Sequence, residues 1–369
     1  MFELRAPDPK ETAVRETVVS EAGSIELRDV TRDFAGLAAV RDLNLRVRPG
    51  EFLVLIGPSG CGKTTTLRMM NGLIAPSSGT VLVNGQDVRA TPGPALRRGI
   101  GYAIQGVGLF PHLTVAQNIA VVPRLLGWTD ARVQVRVREL LDSVGLEPKR
   151  FEQSWPRELS GGQAQRVGLA RALAADPPIL LMDEPFAALD PPTRERLQGE
   201  VRDLTHDLGK TVVFVTHDLA EASRLADRIA LMNDGRLEQL DTPENLLARP
   251  LTPFVEAFTG ANRGLLALSL RPVSAALQPA DAAWVTDAQG RPAARAGAAW
   301  RSSLNLNPQD SLRDAVSRMA ASGLDTLAVV DDAGRLVGQV SAPDAVRAPA
   351  NPLNAALAAA GAPKAADGR

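Results

Sequence analysis

Apolar residues in the first two thirds of the chain fall into short unbroken runs, with helix-like stretches between them. Three such runs are 52–56, 179–182 and 212–215. A strand buried on both faces has a nearly continuous apolar sequence, whereas a half-buried strand alternates apolar and polar residues. The pattern therefore predicts an α/β fold in which helices cover both faces of a mostly parallel sheet.

A second kind of strand alternates apolar and polar positions and is predicted at 24–30, 43–47 and 80–83. The pair Asn84-Gly85 follows the last of these, and it is a strong signal for a tight hairpin. Helices are predicted from about 115, with Thr114 as the N-cap, and over 130–144, 160–175 and 192–208.

Composition changes after residue 260, where Ala, Pro and Arg become frequent. An amphipathic helix is predicted at 311–319, followed by strands at 326–330 and 336–340 and a final helix that begins near Ser341. We therefore predict four parts: a flexible N-terminal extension (1–23), a main domain (24–260), a smaller domain (261–347) and a disordered tail (348–369).

The segment from Gly57 to Thr64 matches the pattern G-x-x-x-x-G-K-[ST] between a predicted buried strand and a predicted helix. Glycines let successive backbone N–H groups point at an anion, and the helix N-terminus adds partial positive charge. Lys63 can reach the outer phosphates of a nucleotide, and the Thr64 hydroxyl can bind Mg²⁺. The predicted binding residues are Gly57, Pro58, Ser59, Gly60, Cys61, Gly62, Lys63, Thr64 and Thr65.

Composition and charge argue against several other classes of protein. The 369 residues carry 41 Lys and Arg against 42 Asp and Glu, which does not favour a nucleic-acid partner or a polybasic membrane contact. The single cysteine, Cys61, excludes a disulfide within the chain. The N-terminus lacks the apolar core of a signal peptide, and no apolar stretch reaches the ~20 residues of a membrane helix. We expect a soluble cytoplasmic chain that meets a membrane through a partner.

The order of further motifs resembles the nucleotide-binding subunits of ATP-binding cassette (ABC) transporters over about residues 24–245. The specific part of the match is Leu-Ser-Gly-Gly-Gln at 159–163, upstream of the strand that ends in Asp183 and Glu184. The resemblance implies a P-loop NTPase fold with a helical subdomain, which binds ATP and Mg²⁺ and hydrolyses the nucleotide.

Polar residues at the ends of predicted strands are the candidates for chemistry. Asp183 suits Mg²⁺, a hard ion that prefers oxygen ligands. Glu184 resembles the family's general base for the attacking water, and His217 resembles the switch histidine that contacts the γ-phosphate. Gln105 resembles the glutamine that senses Mg²⁺ and the water. Phe34 stands where relatives usually stack a tyrosine on adenine.

A second predicted anion site consists of Ser160, Gly161, Gly162 and Gln163, at a predicted helix N-terminus. In the resembled family this site belongs to the opposite protomer and closes over the γ-phosphate, and Asp190 would lie along the same seam. The resemblance thus implies a head-to-tail homodimer holding two nucleotides. A plain helix cap is the alternative interpretation of the serine and glycines.

Residues 108–115 and 121–128 resemble the osmoprotectant branch of importers, which moves glycine betaine, choline or carnitine. The C-terminal part resembles a single α+β cystathionine-β-synthase-type (CBS) regulatory module with a degenerate partner over 265–300. Ser341 and Asp344 would bind a ribose and phosphate there or simply cap a helix. The resemblance implies two transmembrane permease subunits, an extracytoplasmic solute-binding protein, and a peripheral location on the cytoplasmic face of the inner membrane. The alternatives are an importer ATPase for another small solute, such as a polar amino acid, and a soluble ABC ATPase without a transport role.

Overall fold

The computed structural model describes residues 22–104, 106, 108–187, 189–261, 263–297 and 300–348. Packing divides the chain into two compact units, residues 1–240 and 241–369. This division lies before the composition change at residue 260, because two short helices of the predicted main domain fall on the C-terminal side. The domain limits of the sequence analysis stay a prediction, and the predicted extension and tail lie almost wholly outside the described residues.

The first unit contains two sheets. Its strands are β1 (Ile25–Phe34), β2 (Leu37–Val47), β3 (Phe52–Ile56), β4 (Ser78–Val83), β5 (Gln86–Asp87), β6 (Ile100–Ala103), β7 (Ile179–Asp183), β8 (Thr211–Val215), β9 (Arg228–Asn233) and β10 (Arg236–Asp241). The larger sheet has the order β10-β9-β3-β8-β7-β6, and the pairs from β9 through to β6 are parallel. The predicted mostly parallel sheet is confirmed.

The helices of the first unit are α1 (Lys63–Met70), α2 (Gly93–Arg98), α3 (Val115–Leu125), α4 (Asp130–Ser143), α5 (Pro148–Phe151), α6 (Gly161–Leu173), α7 (Pro191–Asp207) and α8 (Leu219–Leu225). Helices α3, α4 and α6 pack against one another as a helical subdomain. Thr114 caps α3, since its side chain accepts a hydrogen bond from the Gln117 N–H.

The alternating strands form a separate antiparallel sheet with the order β2-β1-β4-β5. Asn84 and Gly85 have φ of 51° and 74°, which confirms the predicted hairpin between β4 and β5. One apolar core joins this sheet to α1 and to the larger sheet; it includes Leu27, Val81 and Leu67. The phosphate-loop strand β3 is therefore held at the centre of the unit.

The second unit begins with α9 (Pro243–Ala248), α10 (Pro253–Thr259) and α11 (Arg263–Ser269), and continues with β11 (Trp284–Thr286), β12 (Pro292–Arg295), α12 (Leu312–Ser322), β13 (Thr326–Val330), β14 (Leu336–Ser341) and α13 (Ala342–Arg347). The β13–β14 hairpin and α12 share a core that includes Val329, Val340 and Ala315. One short 3₁₀ turn (Val273–Ala276) and the β11–β12 hairpin occupy much of the predicted degenerate half, and a second 3₁₀ turn (Ser302–Leu304) follows it.

Among the described residues, no helix is both long enough and apolar enough to cross a bilayer.

Candidate functional site

The phosphate loop connects the end of β3 to the start of α1, as predicted. Gly57 and Gly62 have φ of 150° and 102°, in the region that favours glycine. A Cβ at Gly57 would lie 2.1 Å from the Met232 carbonyl oxygen, and one at Gly62 would lie 2.4 Å from that of Ala39. Pro58, Ser59 and Gly60 are exposed. The two glycines are thus required by the close backbone packing behind the loop, while its outer side is open.

Lys63 is buried, and its ammonium lies inside the loop. Its Nζ atom donates to the carbonyl oxygens of Gly57 and Pro58, at 2.7 and 2.9 Å. The Cys61 thiol is 3.7 Å from the same nitrogen, and burial raises the pKa of that thiol. The loop therefore contains one buried cation and a protonated thiol, which is a suitable environment for an anionic phosphate group.

Thr64 and Asp183, far apart in sequence, are in contact. The Thr64 hydroxyl donates to Asp183 Oδ1 at 3.1 Å, and burial raises the pKa of Asp183. In the described part of the chain, no three His, Cys, Asp or Glu residues cluster as a metal site. A hydroxyl and a carboxylate suit Mg²⁺ nevertheless, since this ion usually binds one or two protein oxygens together with phosphate oxygens and water. The predicted third ligand, Gln105, lies outside the described residues.

Glu184 and His217 also lie together. They follow the parallel neighbours β7 and β8, whose carboxyl ends meet at one edge of the sheet. Glu184 Oε1 is 3.3 Å from His217 Nδ1, and the His217 side chain is 65% exposed. The Glu184 N–H donates to the Val215 carbonyl oxygen at 3.1 Å. A carboxylate and an imidazole are therefore both available to a water molecule and a phosphate at this edge.

The signature segment 160–163 forms the N-terminus of α6 with a reciprocal cap. The Ser160 hydroxyl accepts from the Gln163 N–H at 3.3 Å, and Gln163 Oε1 accepts from the Ser160 N–H at 2.9 Å. The predicted alternative, a helix cap, is thus present in this structure. A Cβ at Gly161 or Gly162 would meet no atom within 3.4 Å. Packing inside this unit does not require these two glycines, which leaves their backbone open to approach from outside.

Asp190 lies beside this helix N-terminus and lines the same open cleft as Ser160 and Gly161. Its Oδ1 accepts from the Thr193 N–H at 3.1 Å, which caps α7 and lowers the pKa of Asp190. The predicted seam residues are therefore neighbours. Arg150 and Arg196 also line the cleft and add positive charge to it.

Phe34 lies at the end of β1 with 43% of its surface exposed. The Arg32 guanidinium carbon is 4.3 Å from the ring centroid. One face of the predicted adenine-stacking ring is therefore occupied by a cation within the chain.

Sequence analysis missed a buried residue that shapes the loop after β6. Asn118 on α3 is fully buried, and the two N–H groups of its Nδ2 are shared among the carbonyl oxygens of Phe110, Leu113 and Thr114 at 3.0–3.2 Å. The Phe110 N–H donates to Asn118 Oδ1 at 2.8 Å. A polar residue on the apolar side of a predicted helix was the available signal.

In the second unit, Ser341 and Asp344 bind each other. The Ser341 hydroxyl accepts from the Asp344 N–H at 3.3 Å and donates to Asp344 Oδ2 at 2.6 Å. The two side chains thus form a local cap for α13.

Comparisons with known proteins agree with this geometry. The family model "ABC transporter" matches residues 40–187, and "CBS domain" matches residues 300–351. The chain is 45% identical over 321 residues to the Osmoprotectant import ATP-binding protein OsmV of Salmonella typhimurium, covering 86% of this chain and 78% of the relative. It is 45% identical to the Glycine betaine uptake system ATP-binding protein YehX of Escherichia coli, with 85% and 96% covered.

Solved structures of ATP-binding cassettes also match the first part of the chain. A dimeric post-hydrolysis state of the ATP-binding cassette MJ0796 bound to ADP and Pi is 35% identical, with a TM-score of 0.54, over 59% of this chain and 98% of that one. CbiO1 of Clostridium perfringens, part of the cbiONQ complex, is 26% identical, with a TM-score of 0.57 over 61% and 90%. The chain belongs to the ABC transporter family, as an ATP-binding and ATP-hydrolysing subunit with a C-terminal CBS domain.

Proposed function

We propose that this ATPase energises uptake of a quaternary-amine compatible solute of the glycine betaine, choline or carnitine type. The observation that carries the proposal is the extent of the similarity: relatives named for osmoprotectant and glycine betaine import match about 85% of the chain, through the CBS region. The solute would contact separate subunits, namely two membrane permeases and an extracytoplasmic binding protein. The chain would bind the cytoplasmic face of the inner membrane through those permeases.

A second candidate is import of another small solute. The Sulfate/thiosulfate import ATP-binding protein CysA of Bradyrhizobium diazoefficiens is 46% identical over 241 residues, or 64% of this chain. The ATPase domain alone therefore does not distinguish an amine from an anion, and the uptake assay below includes both.

The hydrolytic site would work as follows. The phosphates of ATP lie against the N–H groups of the loop from Gly57 to Thr64, and Lys63 exchanges its two carbonyl partners for phosphate oxygens. Thr64 and Asp183 would hold Mg²⁺, and the ion would supply positive charge to the phosphates. Gln105 remains a predicted contact of the metal and the water. Thr65 at the start of α1 and Phe34 complete the predicted nucleotide contacts.

Glu184 accepts a proton from the attacking water, and His217 contacts the γ-phosphate. The 3.3 Å separation of their side chains supports a shared role at one phosphate. The open backbone at Gly161 and Gly162 supports closure of a head-to-tail dimer. In that dimer, Ser160 of the partner subunit and Asp190 of the partner subunit complete the site.

The test is uptake into proteoliposomes that contain the chain with its co-purifying permeases, a binding protein, and ATP inside. Labelled glycine betaine, choline, carnitine and sulfate are compared. We expect uptake of at least one quaternary amine and its loss with Lys63→Ala. Uptake of sulfate alone, or amine uptake that is unaffected by Lys63→Ala, would overturn the proposal.

A further inference from the structure

A buried chain of hydrogen bonds runs beneath His217. Glu221 on α8 is 6% exposed, and its two carboxylate oxygens accept from different elements. The Thr216 hydroxyl donates to Oε2, and Gln198 Nε2 donates to Oε1 at 2.7 Å. Glu221 thus joins the residue before His217 to helix α7.

The residues on both sides of His217 are hydrogen-bonded to Glu221, Thr216 through the carboxylate and Asp218 through the backbone N–H. The Asp218 N–H donates to the Thr216 hydroxyl oxygen at 3.1 Å. Asp218 Oδ1 in turn accepts from the Glu221 N–H at 3.2 Å. His217 is therefore held between two residues attached to Glu221, while its own ring extends to Glu184.

The other end of this hydrogen-bond network lies on α7, the helix that begins at the predicted dimer seam. Gln198 is 1% exposed and lies on α7, the helix that Asp190 caps. Its Oε1 accepts from Arg224 Nη2 at 3.0 Å, which fixes the orientation of the amide and directs its Nε2 toward Glu221. The same helix carries Arg194, whose Nη2 donates to the Leu189 carbonyl oxygen at 2.8 Å in the loop before Asp190.

Burying the Glu221 carboxyl group costs desolvation free energy, which would be unnecessary if the side chain only filled space. Burial raises the pKa of Glu221, and the donors Thr216 and Gln198 oppose that shift. An apolar side chain would fill the same volume without the desolvation cost of a carboxyl group. The need to accept hydrogen bonds from both Thr216 and Gln198 explains why a carboxyl group occupies this position.

We propose that Glu221 and Gln198 are positioning residues for ATP hydrolysis, which act through Thr216 to hold the His217 imidazole in place. The inference rests on the roles proposed above for Glu184 and His217. The proposed network connects α7, the helix that the predicted seam residue Asp190 caps, to His217 by side-chain contacts. Because a displacement of about 1 Å at a reacting centre can cost on the order of 10²-fold in rate, loss of this support should lower kcat.

The experiment uses Thr216→Val and Thr216→Ser in the full-length chain. Valine keeps the shape of threonine but lacks the hydroxyl, whereas serine keeps the hydroxyl. Gln198→Leu removes the other donor to Glu221. Asp203→Asn, at an exposed position of α7, is the matched control. Measured quantities are kcat and KM for ATP, the affinity for a fluorescent ATP analogue, and the melting temperature.

We expect Thr216→Val and Gln198→Leu to lower kcat roughly 10- to 100-fold. KM and analogue affinity should stay within about 2-fold, since no phosphate contact is removed. Thr216→Ser should retain most of the rate, and the control should match the wild type. In a His217→Ala background, the Thr216→Val change should add less than about 3-fold further loss, because both act through one group.

Three results would overturn the inference. The first is a Thr216→Val rate close to that of wild type. The second is equal loss in Thr216→Val and Thr216→Ser, and the third is full additivity with His217→Ala. Should Thr216→Val melt early, Gln198→Leu supplies the same comparison. A full-rate His217→Ala enzyme would remove the proposed role of His217 together with this inference, whereas a slow one with full-rate Thr216→Val would remove this inference alone.

Discussion

Glu184 has a φ of 44°, a left-handed conformation that costs a non-glycine residue roughly 1–2 kcal/mol. Its N–H donates to the end of β8, so the neighbouring strand holds the residue in this conformation. A backbone cost at a strand end beside His217 is typical of a functional position.

The Glu184→Gln variant should bind ATP and hydrolyse it about 10²–10⁴ times more slowly, the size of a lost general base. The amide preserves the shape of the side chain but cannot accept the proton. Steady-state phosphate release and size-exclusion chromatography with ATP test this expectation, and ATP-dependent dimers should accumulate. Near-normal hydrolysis would remove Glu184 from the role.

The pH dependence of stability should reveal the buried carboxyl of Glu221. Its folded pKa is raised, so the folded state binds an extra proton between the ordinary carboxyl pKa, about 4.3, and the higher folded value. Stability contributed by that proton is lost as pH rises through this window. The melting temperature of Glu221→Gln minus that of wild type should therefore grow with pH above about 4.3. A difference that shrinks with rising pH would contradict this expectation.

At the scale of elements, sequence pattern predicted the buried strands well. Strands β3, β7 and β8 need no partner to be recognised, because their apolar runs are continuous and bounded by polar residues. The alternating strands were also found. The sequence did not predict that these strands form a second sheet, because the pairing of β1 with β4 depends on tertiary contacts rather than on local pattern.

The candidate site shows the same limit. The order of motifs sufficed to nominate Lys63, Asp183 and Glu184, because each lies at the end of a recognisable strand or in the segment that follows it. Asn118 and Glu221 were missed, because their structural roles depend on hydrogen bonds to backbone and side-chain partners that come together only in the folded chain. Sequence spacing carries no information on such contacts.

Helix α3 offers a test of one missed residue. Replacing Asn118 by Leu should cost about 2–4 kcal/mol, because the partly buried carbonyls of Phe110 and Leu113 and the buried carbonyl of Thr114 lose their donor. Urea unfolding measures the loss, and proteolysis within 108–114 should become faster. Gln117→Leu, which alters only the exposed cap of the same helix, should cost less than 1 kcal/mol or so. Equal losses of unfolding free energy in both variants would show that the hydrogen bonds of Asn118 contribute no more to stability than the Gln117 cap does.

At the scale of the whole molecule, a shared seam can be tested by mixing two inactive variants. Lys63→Ala should weaken nucleotide binding. Ser160→Arg should leave binding by the monomer intact but block closure by bulk and charge. In a mixed dimer, one interface combines an intact loop with an intact signature, so partial ATPase activity should return. No recovery in dimers shown to be mixed would argue against a composite site.

The second unit should affect regulation rather than chemistry. All the residues predicted to bind or hydrolyse ATP lie before residue 218, in the first unit. Deleting residues 265–347 should therefore leave basal ATP hydrolysis within about 3-fold, whereas the response of transport to salt or adenine nucleotides should change. Proteoliposomes with full-length and truncated chains, across a salt series, provide the comparison. Identical responses would reduce the unit to a packing element.

The sheet order also determines when, during its synthesis, the protein can first bind ATP. Strand β3 carries the phosphate loop, yet it pairs with β8 on one side and β9 on the other: Phe52 lies opposite Val212, and Leu53 opposite Arg228. Neither neighbour exists until the ribosome has passed those positions, and pairing over such sequence separations is slow. A nascent chain that exposes residues 57–64 should therefore be unable to retain ATP until β9 has emerged from the exit tunnel.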